Sequence, residues 1–219
     1  MESGLVLQAV DTSRPQEGVP GSADYLWLEP VEASRAAAME PGVRERFMAG
    51  RAALRRFAAE LLELPASGLE VSYSCPRCGS GPSLSHGRPG YTHRGERVPL
   101  LLSMARTRHW VLLAGVPAPR AGMRLGVDAE DPGRLDFDGF DAVALGGDDR
   151  RAVASLSGPS LLRERARLWV RKEAWLKMTG EGLRTDPRTV DVWNNQDITD
   201  LASADTGLPA TFAAAVALG

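Results

Sequence analysis

The chain has 219 residues, of which 43% are hydrophobic, so it can bury one good core or two small ones. Its formal net charge of −2 lacks the strong positive balance of a general nucleic-acid-binding protein. No apolar run approaches the roughly 20 residues that span a bilayer, no signal-peptide pattern begins the chain, and two cysteines cannot form a disulfide scaffold. We therefore expect a soluble cytoplasmic protein that binds neither membranes nor nucleic acids.

The first half of the chain is expected to combine one long helix with several strands. The helix is predicted because apolar residues recur with a helical period between Pro41 and Pro65. In chain order, the predicted elements are an apolar run at Leu5–Leu7 followed by a turn-rich loop, a strand at Tyr25–Leu28, a helix over 43–64, an irregular segment over 75–97, and strands over 100–103 and 110–116 with a turn at 106–108.

The second half repeats this order of elements. In chain order, it offers a strand at Arg124–Glu130, an acidic connection over 134–149, a helix over about 159–178 that Gly180 ends, and strands over 189–193 and 211–218. The two halves predict an α+β fold with an N-terminal subdomain, 1–115, and a C-terminal subdomain, 116–219, each a small sheet packed on a long helix. A weak similarity between the two helices fits a pseudo-duplication.

Two acids in the strand of the second half are candidate metal ligands. Asp128 and Glu130 flank Ala129, and the period of two in a strand places both carboxylates on one face. Because two close carboxylates repel each other, burying them is costly unless a cation compensates. Oxygen ligands suit Mg²⁺ held together with substrate phosphates. The alternative is an edge strand with two solvated acids.

The long helix of the second half carries the only two lysines of the chain, Lys172 and Lys177, on either side of Glu173. Trp169, Glu173 and Lys177 are spaced at i, i+4 and i+8 and therefore lie above one another. Taken alone, they could be a surface Glu–Lys pair beside a core tryptophan. Together with Asp128 and Glu130, they supply three carboxylates for Mg²⁺ and an ammonium for a phosphate group.

These two motifs, Gly126–Glu130 and Trp169–Lys177, resemble the signature of 4′-phosphopantetheinyl transferases. The chain length and the two-half layout are similar to the monomeric Sfp type of that family. The similarity extends to the helix segment Phe47–Arg55, to the loop His86–Pro89, and to residues 179–183. Its coverage is roughly residues 25–218, and the two acidic motifs are the most specific part.

The resemblance implies transfer of the phosphopantetheine arm of coenzyme A to a serine of an apo acyl or peptidyl carrier protein, by a monomer. It implies Mg²⁺ or Mn²⁺ bound by Asp128, Glu130 and Glu173, with Glu173 as the base and Lys177 offsetting charge on the pyrophosphate. The residues that the resemblance implies for coenzyme A are Arg51, Arg88, Pro89, Ser103, Lys172 and Lys177.

One segment departs from the family pattern. The family usually has Ser-His-Ser after the central strand, whereas this chain has Ser103-Met104-Ala105. A thioether cannot donate the hydrogen bond that the histidine gives to a phosphate. Arg106 or Arg108 can restore the charge from one turn away. Otherwise the chain is a weakly active or non-catalytic paralogue that binds coenzyme A or a carrier protein.

The segment around Cys75 offers a different chemistry. Cys75, Cys78, His86 and His93 are four possible zinc ligands, but their spacing, C-x2-C-x7-H-x6-H, departs from that of common zinc fingers. His86 also belongs to the Gly-Arg-Pro loop of the resemblance. We expect a reduced structural loop here, and the alternative is a zinc-stabilised interaction module.

Overall fold

The structure is a computed structural model that describes residues 4–13, 28–75, 77–81, 83–84 and 86–219. Within these residues, the α-helices are α1 (Pro30–Ala37), α2 (Pro41–Leu62), α3 (Phe140–Ala144), α4 (Gly147–Val153), α5 (Gly158–Thr179) and α6 (Ser203–Thr206). No helix in this part of the chain is both long and apolar enough to cross a membrane.

The strands form small antiparallel sheets. They are β1 (Val6–Asp11), β2 (Glu70–Val71), β3 (Tyr73–Cys75), β4 (Gly79–Gly81), β5 (Tyr91–His93), β6 (Glu96–Arg97), β7 (Leu100–Thr107), β8 (Trp110–Pro117), β9 (Leu125–Glu130), β10 (Ile198–Asp200) and β11 (Ala213–Leu218). Mixed helices and antiparallel sheets confirm the predicted α+β class.

The two main sheets have the same strand order. One has the order β1-β8-β7 and the other has the order β9-β11-β10. In each sheet, the strand that comes last in the sequence is the central strand. Helix α2 packs on β7 and β8, and α5 packs on β9 and β11. This shared order is compatible with a duplicated unit, and the duplication itself stays a prediction.

The sheets of the two halves meet where β7 lies beside β9. The Oγ atom of Ser103 on β7 accepts a hydrogen bond of 2.9 Å from the backbone N–H of Val127 on β9. One apolar cluster contains buried residues of both sheets, including Leu112 and Ala129, whereas α2 and α5 each cover a separate cluster. The two halves therefore share one apolar cluster and contact each other through β7 and β9.

The ends of the two long helices follow from single residues. Each has a proline in its first turn, where no N–H is needed, at Pro41 in α2 and Pro159 in α5. Helix α5 ends at Gly180, which has the left-handed φ of 81° that glycine adopts without strain. Both helices lie within a few residues of their predicted bounds.

Gly126 determines how closely β9 approaches α5. A Cβ atom at this position would lie 2.0 Å from the carbonyl oxygen of Ala174 and 2.5 Å from the backbone nitrogen of Met178. No side chain fits between the strand and the helix backbone there. The contact brings the next outward residue of the strand, Asp128, against the polar face of α5.

The strand predicted over 189–193 is wrong. The chain forms a 3-10 turn at Pro187–Thr189, and the outer strand of the second sheet is Ile198–Asp200 instead. Val190 and Val192 are buried as their apolar pattern suggested, but the carbonyl groups of both residues accept hydrogen bonds from side chains of α5. Because side chains of α5 supply hydrogen bonds to these backbone carbonyl groups, the segment does not need to pair with a neighbouring strand.

Other boundaries also differ from the sequence prediction. Strand β7 continues to Thr107, so the turn follows at Arg108, which has φ 50°. The acidic connection, predicted without helices, contains α3 and α4. The segment 75–97, predicted as irregular, contains the short strands β4, β5 and β6. Helix α1 was not predicted. Residues 25–27 of the predicted strand lie outside the described residues. The predicted subdomain boundary at 115/116 lies within β8, and residues 118–124 connect β8 to β9. The division into two subdomains stays a prediction.

Candidate functional site

A pocket of about 490 Å³ lies between the two halves. Strand β7, the loop that follows His86, and the ends of β9 and α5 all contribute to its wall. Five cationic side chains line it, and they are Arg51, Arg88, Arg106, Lys177 and Arg184. Two acids, Asp128 and Glu181, complete its charged lining within the described residues. The excess of cations suits a ligand with several negative charges.

Asp128 and Lys177 form the floor of this pocket. The ammonium of Lys177 lies 2.7 Å from Oδ1 of Asp128 and also donates to the carbonyl groups of Val127 and Met104, at 3.0 and 3.3 Å. Asp128 is buried. Burial raises the pKa of its carboxyl group, and the nearby ammonium of Lys177 partly opposes that effect. The strand and the helix thus hold opposite charges together at the junction of the halves.

Glu130 lies on the same face of β9 as Asp128, as the sequence predicted. Its Oε1 accepts hydrogen bonds from the hydroxyl of Thr107 and from the N–H of Asp131, and it lies 3.4 Å from Nε of Arg134. Glu130 also lines a second pocket of about 450 Å³. This pocket is largely apolar, with exposed rim residues Phe137, Val143 and Leu183. Asp128 thus lines the cationic pocket, whereas Glu130 lines the apolar one.

Glu173 lies on α5, one turn before Lys177. Burial raises the pKa of its carboxyl group, and the charge of Asp128 raises it further. Its Oε1 atom is buried, and no described residue gives it a hydrogen bond. A proton, a cation or an ordered water would each satisfy such an oxygen. Among the described residues, Asp128, Glu130 and Glu173 do not form a group whose ligand atoms all lie within 4.8 Å of one another. Their carboxylates suit a hard divalent cation by chemistry, and their role as its ligands stays a prediction.

Two arginines of the first half, Arg51 and Arg88, line the cationic pocket. Arg51 lies over the rings of Phe47 and Tyr73, with its guanidinium carbon 5.2 and 5.0 Å from their centroids. The Arg88 guanidinium donates to the carbonyl group of Met178 on α5. The Nε–H groups of both arginines are buried without a hydrogen-bond partner among the described residues. The Arg51 Nε lies 3.8 Å from Oε1 of the buried Glu32, so part of its charge is already compensated within the protein.

Ser103 and Pro89 line the same pocket, but Lys172 does not, contrary to the prediction. The Lys172 side chain is 0% exposed and lies 2.7 Å from Oδ2 of Asp149. It also donates to the carbonyl groups of Pro187 and Val190. All three donors of the ammonium are thus engaged in the core of the second half. A coenzyme A phosphate cannot reach this ammonium, so the assignment of Lys172 to coenzyme A is wrong.

Arg106 occupies the position next to the missing family histidine. It lines the cationic pocket together with Met104, because residues two apart in a strand share a face. The surrounding protein removes part of its hydration, which lowers the pKa of Arg106 to about 10, with a smaller contribution from Arg51. Arg106 therefore stays charged at neutral pH. Arg108 instead pairs with Asp131, outside this pocket.

Three polar residues near the site were not predicted. Arg184 follows α5 in a short 3-10 turn and lines the cationic pocket, whereas Thr107 and Arg134 contact Glu130. The i+4 spacing of Arg134 from Glu130 is a signal that could have found it. The contact of Thr107 with Glu130 exists because β7 lies beside β9, and no local sequence pattern predicts that packing.

Residues 124–215 match the family model of the 4′-phosphopantetheinyl transferase superfamily. The matched segment covers less than half of the chain and includes Asp128, Glu130, Glu173 and Lys177. The match supports assignment to this superfamily, and therefore to the transferases, but it does not distinguish the Sfp type. No curated protein matches the chain.

Proposed function

We propose that this protein transfers the 4′-phosphopantetheine arm of coenzyme A to a serine hydroxyl of an apo acyl or peptidyl carrier protein. The observation that carries the proposal is a cationic pocket lined by Asp128 and Lys177, with the buried, unpartnered carboxylate oxygen of Glu173 one helical turn before Lys177. In the transfer, the serine oxygen forms a bond to the β-phosphorus, and the bond from that phosphorus to the bridging oxygen breaks. Adenosine 3′,5′-bisphosphate leaves.

Coenzyme A fits the cationic pocket through its phosphates. Arg51 and Arg106 offer guanidinium groups from the first half, and Lys177 offers a compact ammonium from the second. Arg88 and Pro89 are proposed to lie against the adenine end. Because the cationic lining comes from both halves of one chain, we propose a monomer of the Sfp type with a complete site of its own.

Asp128, Glu130 and Glu173 would hold Mg²⁺ or Mn²⁺. When bound, the cation would supply neutralisation of the charge that develops on the transferring phosphoryl group. Glu173 is the proposed base, since its raised pKa brings its proton affinity closer to that required near neutral pH. The proton of the acceptor serine passes to its carboxylate. Lys177 holds Asp128 and faces the leaving phosphate.

The acceptor is proposed to approach from the apolar pocket on the other side of the acidic pair. Glu130 lines that pocket, so a serine carried by a docked protein can reach the carboxylates from the side opposite to coenzyme A. The exposed Phe137, Val143 and Leu183 offer apolar contact to a carrier protein. In-line displacement requires donor and acceptor on opposite sides of the transferring group.

A second candidate function is binding of coenzyme A or a carrier protein without efficient transfer. It is favoured by Met104, which places a thioether in the cationic pocket where the family has a histidine. The charged Arg106 beside it supports the transferase instead, because it offers a donor to the same part of the pocket.

The test is incubation of the protein with coenzyme A, Mg²⁺ and an apo carrier protein, followed by mass spectrometry of the carrier. We expect the carrier to gain one phosphopantetheine group. Asp128→Ala should abolish the gain, whereas Asp138→Ala, which removes an exposed acid of the acidic connection, should leave it unchanged. Binding of coenzyme A without any mass gain would support the second candidate, and normal turnover by Asp128→Ala would refute the proposed site.

A further inference from the structure

A group of metal-ligating side chains lies at the wall of the cationic pocket, which two of its members, Cys75 and His86, line. The sulfur atoms of Cys75 and Cys78 and one ring nitrogen of His86 all lie within 4.8 Å of one another. Both cysteines are free thiols. Cys75 is buried, whereas Cys78 and His86 are exposed, so an ion can enter from solvent. The proposed transfer uses none of these three side chains.

A backbone arrangement that is independent of any ligand brings the three side chains together. Strands β3 and β4 form a tight hairpin that pairs Cys75 with Gly79 and keeps Cys78 in the turn between them. The backbone N–H groups of Arg77 and Cys78 donate to the sulfur of Cys75. Such donors orient a thiolate and stabilise its charge when it binds a metal.

A second backbone contact places His86 beside this hairpin. Ser74 and Arg88 exchange two backbone hydrogen bonds, at 2.8 and 2.9 Å. Gly87 lies against β3 with φ 98°, and a Cβ there would be 2.4 Å from the carbonyl oxygen of Ser74. The chain around His86 is therefore fixed close to Cys75 by glycine at position 87.

His93 does not join the cluster. Its Nδ1 atom lies 2.8 Å from the carbonyl oxygen of Gly68, and within the described residues only Cys75, Cys78 and His86 form such a group. The four-ligand spacing considered from the sequence is therefore wrong, and three protein ligands are left.

We propose that Cys75, Cys78 and His86 bind a Zn²⁺ ion whose fourth ligand is water. Tetrahedral zinc with Zn–S bonds of about 2.3 Å and Zn–N bonds of about 2.0–2.1 Å separates its ligand atoms by roughly 3.5–3.8 Å. The present separations of up to 4.8 Å therefore need to shorten by at most about 1.3 Å. Two thiolates and an imidazole select zinc, whereas the carboxylates of the other site select Mg²⁺.

The zinc would act on the cationic pocket through Arg88. Cys75, His86 and Arg88 all line that pocket, and His86 is only two residues from Arg88. A metal that ties His86 to the β3–β4 hairpin would hold the loop from which Arg88 and Pro89 reach a ligand. This consequence rests on the proposed function, because it is read out as coenzyme A affinity, but zinc binding itself does not.

The test of ligation measures metal content and needs no activity. The full chain is purified in reductant, incubated with Zn²⁺ and desalted, and its zinc is then measured by mass spectrometry. We expect stoichiometric zinc in the wild type and in His93→Ala, and its loss in Cys78→Ser. Cys78 is exposed, so this variant should fold, and circular dichroism checks that it does.

A second measurement uses Co²⁺ with the zinc-free wild type. A thiolate-to-cobalt absorption band should appear in the wild type and be absent in Cys78→Ser. Reduced wild type without zinc or cobalt binding would overturn the proposal, as would full zinc content in Cys78→Ser. A disulfide between Cys75 and Cys78 that persists in reductant would also overturn the proposal, because no thiolate would then be free to bind a metal.

The positioning role is measured separately by titrating coenzyme A into zinc-loaded and zinc-free protein. We expect weaker binding without zinc, and the same weakening in Cys78→Ser. Equal affinity with and without zinc would overturn the positioning role while leaving ligation supported. No coenzyme A binding by the zinc-loaded wild type would instead refute the proposed function, so the two failures are distinguishable.

Discussion

At the scale of single residues, Lys172 and Lys177 have opposite roles although they are five positions apart. Five residues rotate the direction of a side chain by about 140° around a helix axis. Lys172 consequently points into the core of the second half, with Asp149, whereas Lys177 reaches Asp128 at the floor of the cationic pocket. The sequence indicated the important segment, and the helical rotation determines which lysine belongs to the site.

Replacing each lysine by arginine should separate these roles. Lys172→Arg puts a larger head into a fully buried space and should lower the free energy of unfolding by about 1–3 kcal/mol. Lys177→Arg occupies a position that is 30% exposed and keeps a positive charge beside Asp128, so its free energy of unfolding should change less than that of Lys172→Arg. Its transfer rate should nevertheless fall about tenfold or more, because the planar fork displaces the phosphate contacts.

Urea denaturation and the carrier mass assay measure the two effects. A Lys177→Arg variant with wild-type activity would show that transfer needs only the positive charge at this position and not the compact ammonium. A Lys172→Arg variant with wild-type stability would contradict the burial of its ammonium.

Glu173→Gln should stabilise the metal-free protein in a pH-dependent way. The raised pKa of Glu173 means that its folded carboxyl binds protons more tightly than its unfolded one. Its burial therefore destabilises the wild type above the folded pKa, and this cost disappears below the unfolded value of about 4.3. The advantage of the neutral glutamine should be largest near neutral pH and absent in acid.

Urea unfolding in chelator at several pH values measures this advantage, with Glu60→Gln as an exposed comparison. Mg²⁺ should reverse the order, since only the wild type keeps all three carboxylates. A glutamine variant that is less stable than wild type at neutral pH without metal would show that Glu173 has a partner that compensates its charge.

At the scale of elements, strong local patterns predicted α2, α5 and β9 nearly to the residue. The strand predicted over 189–193 failed because Arg171 and Lys172 occupy the backbone carbonyl groups of that segment, and alternation of apolar residues carries no information about such bonds. The close approach of β9 to α5 could not be predicted either. Glycine has a low propensity for strands, and its role at Gly126 becomes evident only from the contact with Ala174.

Strand β7 supplies a test of how the chain manages without the family histidine. Arg106 lies in the cationic pocket, whereas Arg108 is held by Asp131 beyond the end of the strand. Arg106→Ala should weaken coenzyme A binding roughly 10- to 100-fold, the value of one charge-assisted hydrogen bond. Arg108→Ala, the matched control, should bind as the wild type does.

Calorimetric titration of coenzyme A into both variants and into Met104→His measures these affinities. If Arg106 already serves the phosphate, the new histidine adds nothing. Tighter binding by Met104→His together with an unchanged Arg106→Ala would mean that the contact is missing in this chain, which favours the weakly active or binding-only alternative.

At the scale of the whole molecule, the candidate site exists only where the two halves meet. Arg88 donates to Met178, a residue 90 positions later, and the cationic pocket has walls from both halves. The sequence predicted the acids and the arginines because each belongs to a local motif. It could not predict that Thr107 would reach Glu130, because this contact follows from the packing of two sheets.

Ser103 tests whether the junction of the halves is also a source of stability. Its Oγ accepts the N–H of Val127, a fully buried residue, so Ser103→Ala would leave that donor without an acceptor. The free energy of unfolding without ligand should fall by about 1–3 kcal/mol, whereas Ser155→Ala, at an exposed position, should have little effect. Chemical denaturation without coenzyme A isolates this role, because a serine that served only the ligand would leave the stability of the free protein unchanged. A loss of stability would show that Ser103 joins the two sheets in addition to lining the pocket. Weaker coenzyme A binding by Ser103→Ala would then be due in part to a less stable junction between the halves.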